Sequence, residues 1–222
     1  MRQALLRSIQ VGLPRQLEEQ GDTPQRPWTT GFYKEPWVGP VRLRRTNLDG
    51  DGQADLVNHG GPDKVVCVYS GDHYEYWREV LAIPMLPPGA FGENFTVEQL
   101  AETDVCIGDT WAVGDSAIVQ VSQPRQPCWK LARRWQVKTL ALQVQQTGRT
   151  GWYFRVLTEG DVAAGMPLNL LERPHPQWTI ERANQIMHHD PDNRSAAATL
   201  AATPLLSKSW QATLSRRAEQ QR

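Results

Sequence analysis

The chain has only three cysteines in 222 residues, at Cys67, Cys106 and Cys128, lying 39 and 22 positions apart with no Cys-x-x-Cys pair. Three separated thiols exclude a disulfide scaffold and a zinc ribbon, and they fall short of the thiolates of an ordinary all-cysteine iron–sulfur cluster. Net charge is missing too: 24 Lys+Arg balance 24 Asp+Glu, so no broad field draws the chain to nucleic acid or to an anionic membrane. No apolar run approaches the roughly 18 residues of a membrane helix. Val65 to Tyr69 is only strand length, and Pro84, Pro87 and Pro88 break the next apolar stretch. Arg7 interrupts the apolar start Ala4-Leu5-Leu6 and no small-x-small cleavage site follows it, so the sequence reads as cytoplasmic. Neither Gly-x-x-x-x-Gly-Lys-Ser/Thr nor Gly-x-Gly-x-x-Gly occurs, which removes the usual nucleotide, nicotinamide and flavin cradles.

What is present is globular composition, 40% hydrophobic and 22% charged, which excludes wholesale disorder. Gly and Asp meet repeatedly, at Gly50-Asp51, Gly71-Asp72, Gly108-Asp109, Gly114-Asp115 and Gly160-Asp161, beside short β-branched or aromatic runs. That spacing predicts a mainly β chain, with strands at 5–11, 41–46, 65–69, 111–113, 117–122, 152–158 and 166–171, enough to close a barrel. Helices are expected at 72–81 and 131–146. After Pro176 glycine vanishes, and Thr179, Asp192 and Ser207 each sit where a helix can start, which predicts three short helices. The division is therefore 1–175 and 176–222.

Several stretches carry chemistry by residue type. Asp49-Gly50-Asp51-Gly52 alternates acidic oxygens, but the sixth and twelfth positions of a calcium loop are Ala54 and Gly60, so a tight turn between two strands is expected instead. His59-Gly60-Gly61-Pro62-Asp63-Lys64 offers free backbone N–H groups, a cation, a donor and an acceptor. It reads either as a cradle for an anionic cofactor or as a surface turn into the next strand. Phe91-Gly92-Glu93-Asn94-Phe95 suits a pocket wall or a core turn. Ser122-Gln123-Pro124-Arg125-Gln126-Pro127-Cys128-Trp129-Lys130 places a thiol between two cations on a Pro-stiffened connection, a setting for a nucleophile or a soft-metal ligand. Cys67 and Cys106 lie in apolar runs and read as buried structural thiols. The tandem His188-His189 falls at an expected helix end, where the dipole also favours histidine.

The segments HGGPDK, FGENF, SQPRQPCWK and GRTGWYFRV, in that order, resemble the MOSC domain family, named for the C-terminal domains of molybdenum cofactor sulfurases. The likeness covers about residues 30–170, and the tail resembles the three-helix extension of one bacterial subgroup. It implies a MOSC-type β-barrel with peripheral helices that binds the molybdenum cofactor, a molybdopterin, with Cys128 as the protein ligand to the metal. Lys34, His59, Gly60, Gly61, Asp63, Lys64, Asn94, Arg125, Lys130 and Arg149 are then the expected pterin- and phosphate-binding residues, and His59 or Asp63 the expected proton relays. The activity implied is reduction of N-hydroxylated compounds, such as hydroxylaminopurine base analogues and amidoximes, to amines or amidines, a detoxification. With no iron–sulfur cluster or flavin in the chain, an external electron-donor reductase is the expected partner. Two other readings stay open: a cofactor carrier or sulfur-delivery module without turnover, and a hydrolase or transferase with Cys128 as nucleophile and His59 as base.

Overall fold

A computed structural model describes residues 4–17, 27–56 and 59–219. Its strands are β1 (Ala4–Val11), β2 (Arg15–Leu17), β3 (Trp28–Thr30), β4 (Glu35–Pro36), β5 (Val41–Leu43), β6 (Val66–Ser70), β7 (Phe95–Glu98), β8 (Thr110–Val113), β9 (Ala117–Pro124), β10 (Trp152–Thr158), β11 (Gly160–Val162) and β12 (Pro167–Glu172). Seven of them close a barrel in the order β1, β12, β8, β9, β10, β6, β7 and back to β1. Closure removes the exposed sheet edges that a strand array of this length would otherwise present. All barrel pairings are antiparallel except β6 with β7.

The barrel is filled by the alternate residues that a two-residue side-chain period sends inward. Val66 and Val68 of β6, Phe95 and Val97 of β7, Val119 and Val121 of β9, and Trp152 and Phe154 of β10 join one buried cluster. β6 and β10 are buried on both faces. Their outward residues do different work from their inward ones: Tyr69 packs with Tyr74, Trp77 and Phe91 in a second cluster, and Cys67 and Tyr153 face a cleft.

The helices are α1 (Tyr74–Leu81), α2 (Trp129–Trp135), α3 (Leu140–Thr147), α4 (Ile180–Asn184), α5 (Arg194–Ala201) and α6 (Lys208–Glu219). The single helix expected over 131–146 is two. Gln136 adopts a left-handed conformation at φ 56°, which costs a non-glycine residue roughly 1–2 kcal/mol. The end of α2 is held there by tertiary contacts: Arg134 Nη1 donates to Gly89 O at 2.6 Å and Trp135 Nε1 to Ala90 O at 2.9 Å. β7 and β11 are not among the expected strands, β11 because it begins on the Gly160-Asp161 pair that reads as a turn. Gly160 belongs in β11 because a Cβ there would lie 2.5 Å from Ser116 Oγ.

Two of the three C-terminal helices start at the expected positions, Thr179 and Ser207, and α5 starts one residue late, capped by Asn193 and not by Asp192. Thr179 Oγ1 accepts from Arg182 N at 3.0 Å, Asn193 Oδ1 from Ala196 N at 3.0 Å, and α6 follows Ser207. α4 runs on as a π-turn over Gln185–His189. His188 and His189 diverge: the first meets Trp210 edge-on at 6.4 Å and the second lies 3.3 Å from Gln145 O. Ile180, Ile186, Leu200, Leu206, Trp210 and Leu214 belong to the same buried cluster as the barrel interior, so the extension seals the barrel rather than standing beside it.

Candidate active-site cleft

The outer face of β6 and β10, with Arg125 just beyond β9, forms the floor of an open cleft. Register places the floor residues. Cys67 of β6 stands opposite Tyr153 of β10, which stands opposite Gln123 of β9. The two side chains are neighbours in that register, and burial pushes the thiol's pKa up to about 11 and that of the phenol upward as well. Both are neutral at pH 7. The sequence pattern identified Cys67 as buried, which it is, but not that it faces the site. Only the register opposite Tyr153 shows that.

Beyond β9 the chain passes over this floor. Arg125 N still pairs with Gly151 O at 3.0 Å, which keeps the side chain inside, 4% exposed. One guanidinium nitrogen donates to Phe91 O at 2.5 Å. The other, Nη1, is buried and has no hydrogen-bond partner among the described residues. Burial works against its charge, but its pKa still lies above the ordinary value because Cys67, Tyr153 and Cys128, once ionised at high pH, and Glu93 oppose loss of its proton, so it stays a cation. Cys128 follows as the residue before α2, with extended backbone (φ −125°) and its thiol not used as a cap. It is half-buried and lines the cleft with Lys130.

The opposite wall comes from the N-terminal third. Asp51 is fully enclosed; its carboxylate accepts from Gly12 N at 2.9 Å and Asn94 Nδ2 at 2.9 Å and forms an ion pair with Lys34. Asn94 in turn binds Cys67 twice: Asn94 N donates to Cys67 O at 2.7 Å, and Asn94 Oδ1 accepts from Cys67 N at 3.1 Å. The Asp49–Gly52 stretch is thus no strand-to-strand turn. Its second aspartate is a buried anchor that fixes Lys34 and Asn94, both of which line the cleft. An aspartate in a Gly-Asp turn carries no sequence signal for that role. Gly92 (φ 78°) permits a close approach that a Cβ would block, at 2.5 Å from the Phe32 ring.

Of the expected site residues, Lys34, His59, Lys64, Asn94, Arg125, Cys128 and Lys130 line this cleft together. Four do not. Asp63 is committed to Arg155, at 2.8 Å, and to Lys208 N of the extension, at 3.2 Å, so it ties Pro62–Lys64 to β10 and α6 and is not placed to relay protons. The Arg149 guanidinium lies over the Tyr76 ring at 4.0 Å. Gly60 is packed against Leu56, where a Cβ would come within 2.9 Å of its Cα, and Gly61 (φ 91°) faces open space. The HGGPDK stretch therefore gives two side chains to the cleft, and its glycines shape the turn. His59 is driven down to about pKa 4 by burial and by Lys130, Arg125 and Lys64, partly offset by Asp55. It is a neutral donor–acceptor at pH 7. Burial also lowers the Lys64 pKa, against the pull of Asp63 and Asp55.

The arrangement is a cationic, partly dry cleft with one half-buried thiol at its edge. An anionic ligand fits it: the buried orphan nitrogen of Arg125 requires an acceptor, Lys64 and Lys130 supply positive charge, and a thiolate is a ligand for a soft metal. Among the described residues no helix is long and apolar enough to cross a membrane.

Comparison with known proteins agrees in each part of the chain. Residues 55–169 match the model of the MOSC domain, and residues 178–221 match that of the YiiM-like 3-alpha helix domain. The chain is 51% identical over 205 residues to the uncharacterized protein YflK of Bacillus subtilis, covering 92% of this chain and 90% of that one. It is 38% identical over 161 residues to a protein of Gibberella moniliformis named "Reductase", covering 72% of this chain and 28% of that one. The crystal structure of YiiM from Geobacillus stearothermophilus superposes with a TM-score of 0.82 at 40% identity, covering 97% of this chain and 99% of that one. With its barrel and its helical tail both matched, the chain belongs to the MOSC domain family, in the YiiM-like group that carries the three-helix extension.

Proposed function

We propose that this protein is a molybdenum-cofactor-dependent reductase of N-hydroxylated compounds, acting in the cytoplasm and receiving its electrons from another protein. The observation that carries the reading is the pairing, in one cleft, of the half-buried Cys128 thiol with a buried Arg125 whose Nη1 lacks a partner. Membership of the MOSC domain family, which is associated with molybdenum cofactor binding, supports the cofactor, and the relative named "Reductase" favours a redox role over a carrier or a hydrolase.

In this reading Cys128 is the protein ligand to molybdenum, and Arg125, Lys64 and Lys130 hold the anionic part of the pterin through charge-assisted hydrogen bonds. The bound cofactor would supply two-electron oxygen-atom chemistry that no side chain provides. The overall conversion is R–NHOH + 2 e⁻ + 2 H⁺ → R–NH₂ + H₂O. The chain's own part is to orient the cofactor, keep the floor dry with Cys67 and Tyr153 neutral, and pass protons. His59, uncharged at pH 7, offers one donor and one acceptor nitrogen and so hands a proton across without carrying a charge. Lys34, neutralised by Asp51, is held as a directed donor rather than a free cation.

The test is to purify the chain from a cofactor-competent host, measure molybdenum and pterin per chain, and assay reduction of a hydroxylamine and an amidoxime with a chemical electron donor. Near-stoichiometric metal with turnover is expected, and none with NADPH alone. Equal activity from metal-free protein would overturn the assignment.

A further inference from the structure

The C-terminal extension reaches the two loops that carry the cleft's cations, and it does so with polar groups rather than with its apolar face. Asp63 adjoins Lys64 in the turn Pro62–Lys64. Its Oδ1 accepts from Arg155 Nε at 3.0 Å, and its Oδ2 accepts from the backbone N of Lys208, the first residue of α6, at 3.2 Å. The Asp63 carbonyl oxygen accepts from Ser122 Oγ at 2.5 Å. Ser122 O in turn accepts from Ser207 N at 2.9 Å, and Ser209 Oγ donates to Gln123 Oε1 at 3.2 Å. Three consecutive residues, 207 to 209, therefore bond both the turn that bears Lys64 and the end of β9, just before Arg125.

The two loops have no other common frame. One enters β6 and the other leaves β9, and β10 lies between those strands in the barrel, so no ladder hydrogen bond holds one loop against the other. A carboxylate shared between a guanidinium and the positive end of a twelve-residue helix is gripped from two directions. These bonds are separate from the apolar contacts that Trp210 and Leu214 make with the barrel cluster. We infer that Asp63 is a positioning residue and the first turn of α6 a clasp, which together set the spacing of the cleft's two cation-bearing loops and thereby its hold on an anionic ligand. Which ligand that is rests on the function proposed above, but the clasp is a property of the chain itself.

The test uses the full-length chain labelled with 15N-histidine, as wild type, Asp63→Ala, Lys208→Pro and Lys208→Ala. Proline suits the first position of a helix, so it removes the N–H that Asp63 accepts from and keeps α6. Alanine removes only the side chain, which bonds Gln211. His59 reports the turn, because burial, Lys130, Arg125 and Lys64 hold its pKa at about 4, against the pull of Asp55. His188, which meets Trp210 of α6, reports whether the extension stays docked. In Asp63→Ala and Lys208→Pro the His59 ring signals should move and its midpoint should rise toward the ordinary 6.5, with His188 unchanged and Lys208→Ala like the wild type. Pterin retained per chain after gel filtration, in protein from a cofactor-competent host, should fall about tenfold in the same two variants. Unchanged His59 signals in either variant overturn the clasp. So do His59 and His188 signals that move together, an equal response in Lys208→Ala, or undiminished pterin retention in the two variants. If no form of the chain, wild type included, binds pterin while His59 responds as expected, the reductase reading falls and the clasp stands.

Discussion

Two segments lie against the outside of the same barrel, and they do it by opposite means. The C-terminal helices bring Ile180, Leu200, Leu206, Trp210 and Leu214, all buried, into the barrel's own cluster. The cleft side brings the cations Arg125, Lys64 and Lys130 to its lining, with Trp129 exposed beside them. One cover is closed by apolar burial and adds stability. The other gathers cationic side chains around an open cleft, which leaves capacity for an anionic ligand. The charge collected in the second cover, and not the apolar first one, is what an anionic ligand can use.

The comparison breaks most sharply at Cys128. Cys128→Ser is expected to lower N-hydroxyl reduction by more than about a hundredfold, roughly 3 kcal/mol at the transition state, with the melting temperature unchanged within a degree or so. Steady-state kinetics with a chemical donor and a thermal melt check both halves of that statement.

On the other cover the pattern should reverse. Trp210→Ala removes a side chain that is 1% exposed and should cost about 3–5 kcal/mol, which for a chain of this size is a fall of roughly 6–20 °C. The activity of the surviving folded protein below its melt should be retained. Deletion of residues 176 to 222 should strip the cover from the shared core and leave little folded barrel, measured by soluble yield and circular dichroism.

A smaller effect tests the anchor beneath the cleft. Asp51→Asn leaves Lys34 buried without its counter-charge and weakens the bond to Asn94, so a loss of about 3 kcal/mol is expected. It should appear in urea unfolding together with reduced cofactor occupancy, because the Lys34 and Asn94 positions both depend on it.

The smallest effect compares one histidine from each cover. His59 and His188 are both lowered from the usual value to about 4, chiefly by burial. Each binds fewer protons folded than unfolded between about pH 4 and 6.5, so stability rises with pH across that window and is lost as the solution is acidified through it. Thermal melts from pH 4 to 7 should show that slope. His188→Asn and His59→Asn should each remove part of it, and if neither flattens the curve the two imidazoles are not the source.

Sequence patterning reached a long way into both the fold and the cleft. Alternation marked β10 at its observed bounds and six other strands to within a few residues, and the caps at Thr179 and before α6 marked helix starts, because period and capping are local physics that a short window contains. That Cys128 sits between Arg125 and Lys130, and that His59 and Lys64 stand close together, was legible for the same reason, as residue types clustered within a few positions. What stayed hidden depended on partners far along the chain. Gln136 breaks the helix because Gly89 and Ala90 hold the end of α2. Asp63 leaves the site because Arg155 lies within 2.8 Å.

Side-chain period and turn residues, which are properties of neighbours, were enough for a mainly β chain with a helical tail, and the order of its motifs carried the resemblance to the MOSC domain. Only the tertiary structure decided which thiol faces another residue across a sheet, which aspartate is an anchor, and which of two covers stays open. Those outcomes are set by strand register and by the burial of charge, and both are fixed by contacts between residues tens of positions apart, such as Cys67 with Tyr153 and Lys34 with Asp51.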